Sequence, residues 1–162
     1  MKTRNITIKV KTYDNLQELP SEDKILMEKA IEALESSYAP YSNYHVGAAL
    51  LLENGKIILG SNQENVAYPS GLCAERVALF TAGVQEPNVP VKAIAITAKA
   101  DHFQIEDPIT PCGACRQVMA ETETRYETPI RILMGNATGI IHVIERTSDL
   151  LPLMFEAKEL KG

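Results

Sequence analysis

The sequence predicts a layered α/β domain around one mixed β-sheet. Three observations carry that reading. Apolar residues recur at helical spacing in one set of segments, and alternate with polar ones or run together in another. An Asn54-Gly55 dipeptide lies between two apolar runs, which is the strongest short hairpin signal. The segments follow the order helix, two hairpin strands, helix, strand, helix, two strands, helix, as expected of helices packed on a sheet. The chain has 162 residues, enough for one domain over 1–162 and too few for two comfortable ones. Its 45% hydrophobic share is normal for a packed core.

The elements can be justified in chain order. Ile6 to Lys11 (ITIKVK) alternates apolar and polar residues, as a half-buried strand does. Ser21 offers a helix N-cap, and Glu22 and Asp23 put negative charge in the first turn. Leu26, Ala30, Ala33 and Leu34 form a core-facing stripe to about Ser36. Pro40 ends that segment, and Tyr38 to Tyr44 is tyrosine-rich and irregular. His45 to Leu52, with Gly47 inside it, is the first hairpin strand, and Lys56 to Gly60 is the second. Cys73 to Ala82 reads as a helix closed by Gly83 at a position just past its end. Val91 to Ala98 (VKAIAITA) is a strand, and Pro111 precedes a helix from about Cys112 to Glu123. Ile130 to Met134 and Ile140 to Ile144 are strands joined by a turn over Gly135 to Gly139. Thr147 to Phe155 reads as a short, proline-interrupted helix. The irregular stretches Ser61 to Leu72 and Lys99 to Thr110 are long for a compact domain, and they lead to Cys73 and, after Pro111, to Cys112.

Composition excludes several functions. Lys+Arg is 16 and Asp+Glu is 21, for a formal net charge of -5, with 6% aromatic residues and no Trp. A duplex or single-strand nucleic-acid binder would be basic, so no nucleic-acid partner is expected. No apolar run approaches the roughly 20 residues needed to span a bilayer, so no membrane partner is expected. Met1 to Asn5 leads into alternating residues, not an apolar signal core, and the expected compartment is the cytosol. Three cysteines, an odd number, argue against a disulfide framework.

All three cysteines fall at the starts of predicted helices. In a first helical turn, positions i and i+3 point to one side, so Cys112 and Cys115 can chelate one ion. A helix N-terminus favours the thiolate, and Cys73 at another such end can supply a third sulfur. Structural zinc closes its shell with four protein ligands, whereas catalytic zinc has three. A fourth would have to be His45, His102 or His142, and none sits at a local chelating spacing. Cys112 and Cys115 could instead form a thioredoxin-like redox pair, but that leaves Cys73 and Glu75 idle.

Glu75 stands two residues from Cys73. A carboxylate beside a catalytic zinc can carry a proton to a substrate nitrogen. It is also a first-turn carboxylate that the helix dipole favours in any case. In an ideal helix, i and i+2 diverge by about 200°, so Cys73 and Glu75 share a target only if Cys73 sits at the half-in cap position. Zn²⁺ with three thiolates carries net negative charge. Arg76 or Arg116, donating to the sulfurs, would offset it.

Cys73-Ala74-Glu75 followed by Pro111-Cys112-Gly113-Ala114-Cys115 is the zinc-deaminase pattern. The wider sequence resembles the small, homotetrameric cytidine deaminases over most of its length. The resemblance is carried by Tyr41 to Leu50 (YSNYHVGAAL), Asn62 to Arg76 (NQENVAYPSGLCAER), Pro111 to Val118, and Leu150 to Phe155 (LLPLMF). It implies a three-layer α/β/α domain around a central mixed sheet of about five strands, with residues 1–20 as an N-terminal extension. It also implies about one Zn²⁺ per chain, held by Cys73, Cys112 and Cys115, with Glu75 as the proton shuttle. Asn62 and Glu64 would bind the ribose, and Tyr44 would take the place of a base-stacking Phe. Arg76 would temper the thiolates, and Gln117 would help to hold Arg76. Phe155 would complete the site of a neighbouring chain in a homotetramer, although composition alone favours Phe155 as the cap of its own core.

The implied reaction is hydrolytic deamination of cytidine and 2′-deoxycytidine. His45 replaces a family proline, and Tyr44 a phenylalanine, which bears on the shape of the base pocket. The stretch Lys99 to Pro108 is somewhat longer than usual. Two other readings are an aminohydrolase for a modified cytosine nucleoside such as blasticidin S, and a structural zinc module for a protein partner. The Asn62/Glu64 pair favours the ordinary nucleoside, and a structural module would need a fourth protein ligand.

Overall fold

The computed structural model describes residues 1–136, 139–156 and 160. Six strands are present among the described residues: β1 Lys11–Tyr13, β2 Tyr44–Leu52, β3 Ile57–Ser61, β4 Val91–Ala100, β5 Arg131–Gly135 and β6 Ile141–Ile144. They form one mixed sheet in the order β1-β6-β5-β4-β2-β3. Among the described residues three α-helices accompany it: α1 Ser21–Ala33, α2 Ala74–Gln85 and α3 Gly113–Tyr126.

Strand periodicity sorts the core into two halves. Ala48, Leu50 and Leu52 of β2 pack with Ile94 and Ile96 of β4 against Ala78 of α2 and Met119 of α3. Their sequence neighbours Ala49, Leu51, Ala93 and Ala95 pack against Leu26, Met27 and Ala30 of α1 on the opposite face. The sheet is therefore covered on both sides, giving the α/β/α layering. Because β2 and β4 are buried on both faces, they read as nearly continuous apolar runs. The strands exceed the expected five because β1 adds a short edge, pairing antiparallel with β6.

Register places the functional end of the sheet. Gly47 of β2 lies opposite both Ser61 of β3 and Thr97 of β4. The strands β3 and β4 thus end on the same side, and the chain segments that leave them lead to the N-termini of α2 and α3. β4 pairs parallel with β5, and α3 forms the crossover between them. This is the carboxyl-end crevice where open α/β sheets present their ligand sites.

Gly60 brings α2 onto the sheet. A Cβ there would lie 2.5 Å from the Ala74 carbonyl oxygen and 2.6 Å from the Ala78 nitrogen. Only glycine lets the first turn of α2 approach β3 this closely.

Several boundaries differ from those the sequence suggests. The strand over Ile6 to Lys11 does not form; pairing begins only at Lys11, opposite Val143. A strand reaching Ile6 would need partners beyond Ile144, where the chain leaves the sheet for a 3-10 turn over Thr147–Asp149. Pro20, not Ser21, occupies the N-cap of α1, and its carbonyl accepts from Lys24 N–H at 2.9 Å. Gly83 lies inside α2, which continues to Gln85; Pro87 follows shortly after. No helix covers Thr147 to Phe155: after the 3-10 turn, Pro152 removes a donor and the chain is irregular. The turn expected over Gly135 to Gly139 includes Ala137 and Thr138, which lie outside the described residues.

Candidate active site

The segment 62–73 leaves β3 and ends with Cys73 at the N-cap of α2, in extended conformation at φ -71° and ψ 152°. This is the cap geometry that lets Cys73 and Glu75 serve one site despite their spacing. Cys112 holds the equivalent N-cap of α3, at φ -65° and ψ 165°, and Cys115 lies in its first turn. Neither cysteine makes a side-chain cap bond to its helix. The three sulfurs lie within 4.8 Å of one another, with Cys112 and Cys115 3.5 Å apart.

These residues fit a zinc ion. A zinc–sulfur bond of about 2.3 Å puts tetrahedral sulfurs about 3.8 Å apart, a separation compatible with sulfurs that all lie within 4.8 Å of one another. The donors are soft thiols at two helix N-termini, and all three cysteines are free. The Cys115 thiol donates toward the Cys73 sulfur, and Arg76 Nη2 lies 3.8 Å from it. Together they outweigh burial and lower the Cys73 thiol to about 5. Arg76 is therefore the guanidinium beside the sulfurs. Arg116 points elsewhere, donating to the Pro111 carbonyl at 2.8 Å and the Leu150 carbonyl at 3.0 Å.

Glu75 is only 4% exposed. Burial pushes its carboxyl above the usual carboxylate range, and the charge on the Cys73 sulfur adds to the shift. A carboxyl tuned upward beside a cluster of thiols able to hold a metal is suited to taking up and releasing a proton.

The cluster opens into a cleft of about 770 Å³, lined by Tyr44, Asn62, Glu64, Cys73, Glu75 and Cys112 among others. A volume of this order suits a small organic ligand. The Asn62 side chain clips the end of β2, accepting from Val46 N–H and donating to the Tyr44 carbonyl, both at 2.8 Å. An amide has two donors and two acceptor sites, so one of each is left for a ligand. Glu64 accepts from the N–H groups of Tyr41 at 2.9 Å and Ser42 at 3.2 Å, and from the Ser42 hydroxyl. The hydroxyl bond holds the Glu64 carboxyl below the usual range.

Tyr44, Asn62, Glu64, Cys73, Glu75, Arg76 and Cys112 thus meet in one cleft, with Cys115 buried behind them. Gln117 and Phe155 lie outside its lining and meet each other: Gln117 Nε2 donates to the Phe155 carbonyl at 3.2 Å. Phe155 is 73% exposed, so it does not cap its own core. Sequence reasoning missed Tyr41 and Ser42 as the clamp on Glu64, and Tyr68 and Ile109 as cleft walls. It also missed Phe103, whose ring stacks on Tyr44. The tyrosine-rich stretch before β2 was the available signal for the first two.

Three thiols and a buried carboxyl, delivered by two helix N-termini to a crevice at the strand ends, define a zinc-dependent hydrolytic site. The cytidine and deoxycytidylate deaminase zinc-binding region matches residues 20–127. The cytidine deaminase of Halalkalibacterium halodurans is 43% identical over 137 residues, covering 85% of this chain and 96% of that protein. That of Mycobacterium tuberculosis is 32% identical over 142 residues, covering 84% and 91%. In structure, the chain is similar to cytidine deaminase from Burkholderia pseudomallei, with a TM-score of 0.71 and 40% identity over 85% of this chain and 100% of that one. The Mycobacterium tuberculosis enzyme gives a TM-score of 0.62 and 31% identity, with 85% and 100% covered. The chain belongs to the cytidine and deoxycytidylate deaminase family.

Proposed function

We propose that this chain is a zinc-dependent cytidine deaminase that converts cytidine and 2′-deoxycytidine to uridine and 2′-deoxyuridine, with uptake of water and release of ammonia. The observation that carries the reading is buried Glu75 beside a three-cysteine cluster, in a cleft of nucleoside size. Cys73, Cys112 and Cys115 hold one zinc ion. When bound, zinc supplies a Lewis acid that makes a water molecule acidic near neutral pH.

Glu75 takes up the proton that the water gives up. It delivers that proton to N3 of the base as C4 becomes tetrahedral, then takes the second proton from the new C4 hydroxyl and gives it to the departing amine, leaving the C4 carbonyl. Its raised affinity for a proton keeps it exchangeable through these steps. Arg76 offsets the charge of the thiolates. Gln117 holds the C-terminal segment through the Phe155 carbonyl. Tyr44 presents its ring to the base. Asn62 and Glu64 bind the ribose hydroxyls, for which the Tyr41 and Ser42 N–H groups preorganise the carboxylate.

The chain acts as one deaminase domain in the cytosol, a placement that three unpaired thiols support. The active form is a homotetramer in which Phe155 of one chain covers the base bound by a neighbour. The exposure of Phe155 supports this reading, as do exposed Phe80 and Val84 on α2.

An absorbance assay on purified protein with cytidine, deoxycytidine, cytosine and CMP, alongside metal analysis, tests the proposal. Turnover of the two nucleosides and about one zinc per chain are expected. The acidic ribose end suits a phosphate poorly, so CMP should be processed far more slowly. Comparable kcat/KM for CMP would move the assignment to a nucleotide enzyme.

A further inference from the structure

The strand that carries Tyr44 is latched to the segment following β4 at three points. The Asp101 N–H donates to the Asn43 carbonyl at 3.1 Å. His45 Nε2 lies 3.4 Å from Asp101 Oδ2. The Phe103 ring stacks on the Tyr44 ring, with centroids 6.2 Å apart and planes at 23°. His45 is fixed from its other side, where Nδ1 lies 2.5 Å from Ser37 Oγ. Asn43 adopts a left-handed φ of 53°, which asparagine tolerates better than most residues.

Phe103 belongs to neither hydrophobic core and is 60% exposed. Its aromatic contact is with a ring that lines the cleft, yet Phe103 does not line the cleft itself. It therefore meets the Tyr44 ring from a position outside the cleft lining. Asn62 meanwhile holds the Tyr44 carbonyl. The backbone of Tyr44 is fixed by one neighbour and its ring by another.

We infer that Phe103 is a positioning residue for substrate recognition, which holds the Tyr44 ring from outside the cleft in the plane against which a pyrimidine base lies. The His45–Asp101 latch delivers Phe103 to that ring. This rests on the nucleoside reading of the cleft. An offset aromatic pair contributes enough to change affinity by about 2- to 10-fold when it preorganises a binding surface. The effect belongs in binding, because Phe103 touches neither the cysteine cluster nor Glu75.

The test uses the full zinc-loaded chain with Phe103→Ala, Phe103→Leu and Phe103→Tyr. Phe103→Ala should raise the KM for cytidine by about 2- to 10-fold, with kcat and zinc content kept. Phe103→Tyr, which preserves the stacking face, should restore KM, and Phe103→Leu should restore only part. An unchanged KM in Phe103→Ala would overturn the inference, as would full rescue by Phe103→Leu. So would a joint fall of kcat and zinc content, which would mark a role in folding. A crystal structure of Phe103→Ala gives a readout that needs no turnover. The Tyr44 ring should spread over alternative rotamers, and a ring held as before would sink the idea. A wild-type chain inactive on cytidine would defeat the proposed reaction and leave this structural result decisive for Phe103.

Discussion

Glu75 and Cys73 sit two positions apart and are tuned in opposite directions. Burial raises the affinity of Glu75 for a proton, while the Cys115 thiol and Arg76 lower that of Cys73. Glu75→Gln keeps the size of the side chain but cannot transfer a proton. Its turnover should fall by at least about 10²–10⁴-fold with zinc retained, as steady-state kinetics and metal analysis will report. Near wild-type turnover would assign the proton transfers to another group. In metal-stripped protein, Cys73 should behave as a thiolate from about 5 upward, whereas an ordinary thiol needs pH near about 8.5. Its alkylation by iodoacetamide, followed by mass spectrometry, should rise through acidic pH and be level at neutrality. A rise only in the alkaline range would contradict the assigned environment. The cysteines and Glu75 were legible in the sequence because metal and proton chemistry restrict both residue type and spacing. Phe103 was not, because its partner Tyr44 is brought to it only by the fold.

At the scale of single elements, Gly60 decides where α2 sits. Gly60→Ala would place a methyl group against the backbone at Ala74 and Ala78. The first turn of α2 would have to move, and with it Cys73 and Glu75. Overpacking typically costs about 1–3 kcal/mol. A lowered melting temperature and weaker zinc retention are expected, measured by calorimetry and metal analysis; an unchanged melt would mean that α2 has slack. Gly83→Ala should do the reverse. Gly83 lies within the helix with nothing within 4 Å of an added Cβ, so alanine should stabilise by about 0.4–1 kcal/mol. Helices and central strands were legible because their periodicity is set by the core. Their ends were not: the length of β1 depends on where β6 stops, and α2 outruns Gly83 because no left-handed turn is required there.

Across the whole molecule, exposed Phe155 carries the expectation of shared sites. Phe155→Ala should weaken cytidine binding by about 1–3 kcal/mol, the worth of an aromatic stack on a base, with zinc content unchanged. Mixing Phe155→Ala chains with Glu75→Gln chains should restore part of the activity, since some sites then receive both residues intact. No rescue after verified subunit exchange would count against shared sites. The two helix caps have a further consequence for the architecture. Cys73 and Cys112 stand at the beginning and end of a stretch of chain that contains the whole of β4, the strand paired on both sides at the middle of the sheet. An ion gripping both thiols is a cross-link that closes this stretch into a ring. Because the ion grips the assembled site and not the dispersed thiols of the unfolded chain, its binding free energy adds to the stability of the fold. The metal would then be a clasp on the central strand as well as a reagent, and chelation should lower the melting temperature of the entire sheet along with turnover.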